Sequence, residues 1–375
     1  MASREKQVLY TFLVLLSLFS MAHAIRSPPL ALFRNCKFDK IFQFGDSLSD
    51  TGNLVRERPF DVSGRLPYGQ SFFNRPTGRY SNGLIMIDYI ASAAGLPLLN
   101  PYEQVGANFR HGINFAVAGA TALPVKTLAS KDIHAVPTPT SSSLDVQLRR
   151  MSDYLSSYCN TQTDCRDKLK NSLFMMGEVG GNDYNYALFG GKTIQEVKNL
   201  VPEVVQSIVD ATREIIKLGA RNIVIPGNLP IGCVPSYLTT FQANNTFDQN
   251  HCLKDYNEFS VYHNKQLIKA IELLKKENPG VTIVYGNLYN AFQWLFSRAA
   301  YLGFDRNSLQ KACCGSGGEY NFSFKKICGL PGVAVCSNPN QRISWDGIHL
   351  TQQANKYMAA WLISNMSPML QCPAS

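Results

Sequence analysis

The chain has 375 residues, 45% of them hydrophobic and 17% charged, with 36 lysines and arginines against 27 acidic residues for a net charge of +9. That apolar content is enough for a large core without help from cross-links. No lysine–arginine block or RNA-binding module accompanies the positive charge, so nucleic acid is not an expected partner.

In chain order, Arg4 and Lys6 precede an apolar run from Val8 to Phe19, and Ala22-His23-Ala24 offers the small residues of a cleavage position. Residues 1–24 therefore read as a secretory signal peptide, with residues 25–375 as a single domain. The run is too short to span a membrane, which takes roughly 20 apolar residues. No later window reaches that length, so no stable membrane association is expected. Loss of Arg4, Lys6 and Glu5 would remove one unit of net positive charge. The basic surface that remains suits an acidic polysaccharide or an anionic small molecule as readily as no electrostatic partner. All ten cysteines follow Ala24, an even number in a chain bound for an oxidising compartment, so disulfides are expected with open connectivity. Cys159 and Cys165 are close enough to close a small loop, and Cys313, Cys314, Cys328 and Cys336 form a dense cluster. No CxxC pair or HExxH stretch points to a metal.

Ile41 to Phe44, Ser172 to Met176, Asn222 to Ile225 and Thr282 to Tyr285 read as short buried strands. Lys126 to Ser143, rich in Pro, Ser and Thr, reads as a surface excursion. Ile194, Val197, Val201, Val204, Ile208, Ile215 and Leu218 recur at helical spacing, as do Tyr256, Phe259, Leu267, Ile271 and Leu274. A last helix carries Leu350, Ala354, Tyr357 and Trp361. Alternating strands and helices predict an α/β fold with a parallel sheet covered on both faces. Chemistry then belongs just after the strands. Gly45-Asp46-Ser47 follows the first, and Gly177-Glu178-Val179-Gly180-Gly181-Asn182-Asp183 follows the second.

Ser47 is a candidate nucleophile, and a serine needs a base to take its proton. Five histidines follow Ala24. His263 lies on an apolar helical stripe, and His251 and His134 sit in polar loops, whereas His111 could line a pocket. His349 stands apart because Asp346 precedes it by three residues, an offset that can set a carboxylate under an imidazole on a turn. Oxyanion donors are available from the Ser47 amide, if a helix begins there, from the Gly119 amide and from the Asn182 side chain. Taken singly, Gly119 is as well explained by close packing and Asn182 by a turn. Asn244, Asn321 and Asn365 open potential glycosylation sequons, the last followed by Pro368.

The order GDS, "NFAVAGATA", "GGND" and a late "DGIH" resembles the plant GDSL esterase/lipase family of the SGNH hydrolase superfamily. "RPTGRYSNG" is close to the usual plant "PTGRFSNG". Within that branch, "NFRHGINFAVAGATAL", "GGNDYNYALF" and "ACCGSGGEYNF" are most similar to the group of acetylajmalan and sinapine esterases. The resemblance implies a flavodoxin-like three-layer α/β/α sandwich, and the lack of a GxSxG elbow agrees with that. It implies Ser47 as nucleophile, His349 as base oriented by Asp346, and an oxyanion hole of Ser47, Gly119 and Asn182, with no cofactor. The implied reaction is hydrolysis of an acetyl or hydroxycinnamoyl ester of a small specialised metabolite, an alkaloid ester among them. Transfer of the same acyl group to another alcohol, action on acetylated wall polysaccharide or lipid, and a non-catalytic binding module are the competing expectations. The expected destination is the apoplast or the vacuole. Oligomeric state is not legible.

Overall fold

A computed structural model describes residues 30–134, 140–243 and 245–370. Residues 1–24, read above as a signal peptide, and Asn244 lie outside the described residues. Five short strands build one parallel sheet: β1 (Lys40–Phe44), β2 (Gly112–Asn114), β3 (Ser172–Met176), β4 (Asn222–Pro226) and β5 (Thr282–Gly286). Their order is β2-β1-β3-β4-β5, every neighbouring pair is parallel, and β1 runs in register from Lys40↔Ser172 to Phe44↔Met176. This is the flavodoxin-like doubly wound order, whose strand order reverses between β1 and β3. The crevice at that reversal opens at the carboxyl ends of the strands, immediately before Ser47 and Asn182.

Helices covering the sheet include α1 (Met86–Ala93), α2 (Leu144–Tyr158), α3 (Gly181–Phe189), α4 (Val201–Leu218), α5 (Lys254–Glu277), α6 (Leu288–Ser297) and α7 (Gln352–Met366). Strand residues alternate between two cores. Phe42, Phe44, Phe174, Met176, Ile223 and Ile225 pack against α2, α4 and α5, and Ile41, Leu173, Met175, Val224 and Val284 pack against α1, α6 and α7. Burial on both faces explains why these strands are continuous apolar runs. No helix among the described residues is long and apolar enough to cross a membrane.

Three expectations change. The apolar series from Ile194 to Leu218 belongs to two helices, Ile194–Lys198 and α4, because Pro202 has no amide to donate and fits only the first turn of a helix. The Lys126–Ser143 stretch begins inside a helix, Val125–Ala129, and its end is buried. There Thr140 and Ser142 donate to the Glu57 carboxylate, which neutral composition alone could not reveal. The last helix starts at Gln352, capped by Thr351, while Leu350 pairs with Ser344 to close a loop.

One buried ion pair ties the segment before α1 to the crevice. Arg79 donates from Nε and Nη2 to both oxygens of Asp88 at 2.8 Å, and from Nη1 to the Thr51 carbonyl at 3.3 Å. Asp88 also accepts the Ile85 amide at the start of α1. Removing the guanidinium leaves an uncompensated buried carboxylate, so Arg79→Ala is expected to cost roughly 3–5 kcal/mol, read from the urea midpoint.

Candidate active site

The site assembles from three loops at the carboxyl end of the sheet. The first follows β1. Gly45 has φ +141°, and a Cβ there would meet the Glu178 carbonyl at 2.7 Å, so the turn needs glycine. Gln147 of α2 holds Gly45 from both sides, accepting its amide at 2.9 Å and donating to its carbonyl at 2.8 Å. Ser47 then sits on a hydrogen-bonded turn, with Ser49 and Asp50 amides donating to the Asp46 carbonyl, and not at a helix start. The helix dipole expected behind Ser47 is therefore absent, because the chain must turn again to bring Asp50 inward.

Asp50 organises that second turn. Its carboxylate accepts the amides of Gly52, Asn53 and Leu54 at 2.6–3.0 Å and the Ala118 amide at 2.9 Å. Burial pushes Asp50 up to about 6, against the pull of those amides. The Ala118 bond joins the Ser47 loop to the loop after β2, where Gly119 adopts φ +82°. Among the described residues, the Ser47 and Gly119 amides donate to no protein group, so both remain available to a ligand. Asn182, in the first turn of α3, donates to the Ala120 carbonyl at 3.0 Å and makes a longer contact of 3.4 Å to Asp46 Oδ2. The three candidate donors thus come from three adjoining segments of one crevice.

The third loop runs from Ser344 to Leu350. His349 Nε2 lies 2.8 Å from Ser47 Oγ, and His349 Nδ1 lies 2.7 Å from Asp346 Oδ2. Burial alone would raise Asp346. The adjacent imidazole and the amides of His349 and Ile348 reverse this and hold the carboxyl below its ordinary value. An ionised Asp346 can only accept, so the imidazole proton belongs on Nδ1 and the Nε2 lone pair faces the Ser47 hydroxyl. This arrangement can remove a proton from Ser47 and return it to another oxygen.

Two tyrosines not anticipated from the sequence complete the surroundings. Tyr68 donates its hydroxyl to Asp346 Oδ2 at 2.9 Å, and the Tyr80 ring lies 4.6 Å from the His349 ring. Tyr80 belongs to the "RPTGRYSNG" block and was discoverable there, whereas nothing local marks Tyr68. The loop is anchored through the bridges Cys313–Cys336 and Cys314–Cys328, whose Cys313 and Cys314 amides donate to the Ser344 and Trp345 carbonyls. Bridges Cys159–Cys165 and Cys233–Cys252 lie elsewhere. Beside His349 opens a cavity of about 530 Å³ with Phe60, Tyr68, Tyr80, Phe322 and Ile348 in its wall.

Of the remaining candidates, His111 stands at the amino end of β2, where its carbonyl accepts the Ile41 amide, far from the carboxyl-end crevice. His134 and His251 are exposed. His263 is buried against the Tyr184 hydroxyl at 2.7 Å, and burial lowers it to about 4. The Asn321 amide donates to the Ala312 carbonyl, and exposed Asn365 donates to the Trp361 carbonyl on α7. Among the described residues, no cluster of His, Cys, Asp or Glu is placed to hold a metal.

A family model described as GDSL-like lipase/acylhydrolase matches residues 41–362. Acetylajmalan esterase 2 of Rauvolfia serpentina is 43% identical over 369 residues, covering 96% of this chain and 98% of its own length. A second acetylajmalan esterase of that plant is 44% identical, covering 91% and 88%. A GDSL esterase/lipase of Arabidopsis thaliana is 46% identical over 333 residues, covering 87% and 82%.

The buried acids behind the crevice give a pH signature. Asp183 accepts the Ala122 and Leu123 amides, and burial pushes it up to about 7. A raised carboxyl keeps its proton in the folded chain over a range where the unfolded chain has released it. The stability it supplies is full below the ordinary value near 3.8 and is lost as pH rises through about 6 for Asp50 and about 7 for Asp183. The urea midpoint should be higher at about pH 5.5 than at about pH 8. Asp183→Asn should flatten that slope.

Proposed function

The chain belongs to the GDSL-like lipase/acylhydrolase family and is a carboxylic ester hydrolase, and from that premise we propose that it works through an acyl-enzyme on Ser47. His349 takes the Ser47 proton as Oγ attacks the ester carbonyl carbon. Negative charge on the carbonyl oxygen is met by the Ser47 and Gly119 amides and the Asn182 side chain, where fixed donors act most strongly. The tetrahedral adduct collapses, the C–O bond to the alcohol breaks, and the alcohol leaves with the proton from His349. Water, deprotonated by the same imidazole, attacks the acyl group and frees Ser47 with release of the acid. Asp346 keeps the Nδ1 proton in place and stabilises the imidazolium. The observation that carries this reading is the unbroken chain Ser47 Oγ–His349 Nε2–His349 Nδ1–Asp346 Oδ2, at 2.8 and 2.7 Å.

The substrate we propose is an acetyl or hydroxycinnamoyl ester of a small specialised metabolite, alkaloid esters included. A cavity of about 530 Å³ is of a size for such a molecule, and the acetylajmalan esterases carry their substrate in their names. We place the protein in the secretory pathway, with the apoplast or vacuole as destination. The basic and apolar character of residues 1–24 and the four bridges among the described residues support this.

A fluorophosphonate probe should label the folded wild type and fail to label Ser47→Ala, which should also lose turnover; labelling of that variant would remove Ser47 from its role. Asn182→Ala should lose on the order of a hundred- to thousandfold in kcat with an unchanged circular dichroism spectrum, as for other single oxyanion donors. Comparing release from an alkaloid acetate, a sinapoyl ester, acetylated pectin and a long-chain triglyceride tests the substrate class.

A further inference from the structure

The inference rests on the reading of Asn182 as an oxyanion donor, and it concerns what makes that side chain a donor at all. A carboxamide carries a donating nitrogen and an accepting oxygen of nearly equal size, so Asn182 could be seated either way round. One seating offers hydrogen to an oxyanion. The other sets an oxygen against the developing charge.

Asn182, Asn185 and Tyr186 stand at helical spacing along α3, so they share one face. That face meets the loop after β2. Asn182 Nδ2 donates to the Ala120 carbonyl at 3.0 Å, and the Tyr186 hydroxyl donates to the preceding carbonyl, that of Gly119, at 2.6 Å. Asn185 Nδ2 donates to Asn182 Oδ1 at 3.1 Å, and Asn185 Oδ1 accepts the Tyr237 hydroxyl at 2.5 Å. Tyr237 is buried, its ring packed against Phe189, Phe241 and Tyr256. It lies on the short helix Pro235–Phe241, where the Ser236 amide donates to the Gly347 carbonyl in the His349 loop.

The row of donors runs in one direction, from Tyr237 to Asn185 to Asn182 to Ala120. A carbonyl has no proton to give, so the Ala120 end can only accept. Reversing Asn182 would set two oxygens together at Ala120 and two amide nitrogens together at Asn185. Each end of the carboxamide is thus held by a different partner, and loss of Asn185 would leave only one. With one Nδ2 hydrogen given to Ala120, the second has only the 3.4 Å contact to Asp46 and is left for a ligand. We infer that Asn185 is a positioning residue for the oxyanion hole: its amide fixes which end of the Asn182 carboxamide meets the charge, and the Tyr237 hydroxyl fixes Asn185. The helix Pro235–Phe241 thereby refers the oxyanion donor and the His349 loop to one support.

The test is a double-mutant cycle on p-nitrophenyl acetate hydrolysis. Asn185→Leu keeps the size of the side chain and removes the donor. Its kcat should fall about tenfold with KM within about twofold of the wild type, since the donor is needed only as charge develops. In the Asn182→Ala background the same substitution should change kcat by less than about twofold, because no carboxamide remains to be held. Tyr237→Phe, which deletes one oxygen, should lose about threefold in kcat and again add nothing to Asn182→Ala. It carries the test if Asn185→Leu does not fold. Wild-type kcat in both variants, or an undiminished loss in the Asn182→Ala background, overturns the inference while leaving the Ser47 reading in place. Wild-type kcat in Asn182→Ala overturns that donor assignment and the inference with it.

Discussion

A single contact, Ser47 Oγ to His349 Nε2, joins residues 302 positions apart, and most of the structure around it serves to hold its two ends. The ends are held by different means. Ser47 rides on a turn clamped by backbone bonds to neighbours in the sheet and by Gln147 and Asp50. His349 rides on a loop outside the five-stranded sheet, closed on itself by the Ser344–Leu350 bridge. There, two bridged cysteines supply the backbone bonds that a sheet would otherwise provide. Cross-links of this kind act mainly by restricting the unfolded chain.

The electrostatics behind Ser47 follow from the same crowding. Asp46, Asp50, Glu178 and Asp183 lie close together below the crevice. Burial raises Asp46 well above an ordinary carboxyl, and the charges of Glu178, Asp183 and Asp50 push it the same way. That upward push bears on Asn182, whose amide lies 3.4 Å from Asp46 Oδ2. A full negative charge there would compete with any oxyanion for that donor and oppose the charge itself. On the other side of the site, Asp346 is held ionised by the imidazole and the amides of its own loop. Two buried aspartates are thus driven in opposite directions by their own neighbours.

The aromatic character of the His349 side is a property of the loops. Tyr68 and Tyr80 come from one segment and Phe322 from a remote one, with Arg79 anchoring the first to α1 and Phe322 packed against Gly347. Gly347 has φ +96° and leaves no room for a side chain against that ring. The shape of the cavity therefore depends on contacts that leave the chemical residues untouched.

Residues close in sequence, and patterns that repeat over a few turns, were legible from the chain alone. The four longer strands were, because strands buried on both faces are apolar runs, and so was the Asp346–His349 offset, because three residues on one turn cannot lie far apart. The ordered blocks around Ser47, Gly119, Asn182 and His349 identified the family by the same local means. The strand Gly112–Asn114 was not, since three residues carry no period, and neither was the break at Pro202 within an otherwise continuous apolar series. Tertiary structure alone decided that Ser47 occupies a turn and not a helix start, that His111 faces the wrong end of the sheet, and that Tyr68 meets Asp346. Each of these depends on which distant segment lies opposite, and that is set by packing in three dimensions, for which no short stretch of sequence holds the information.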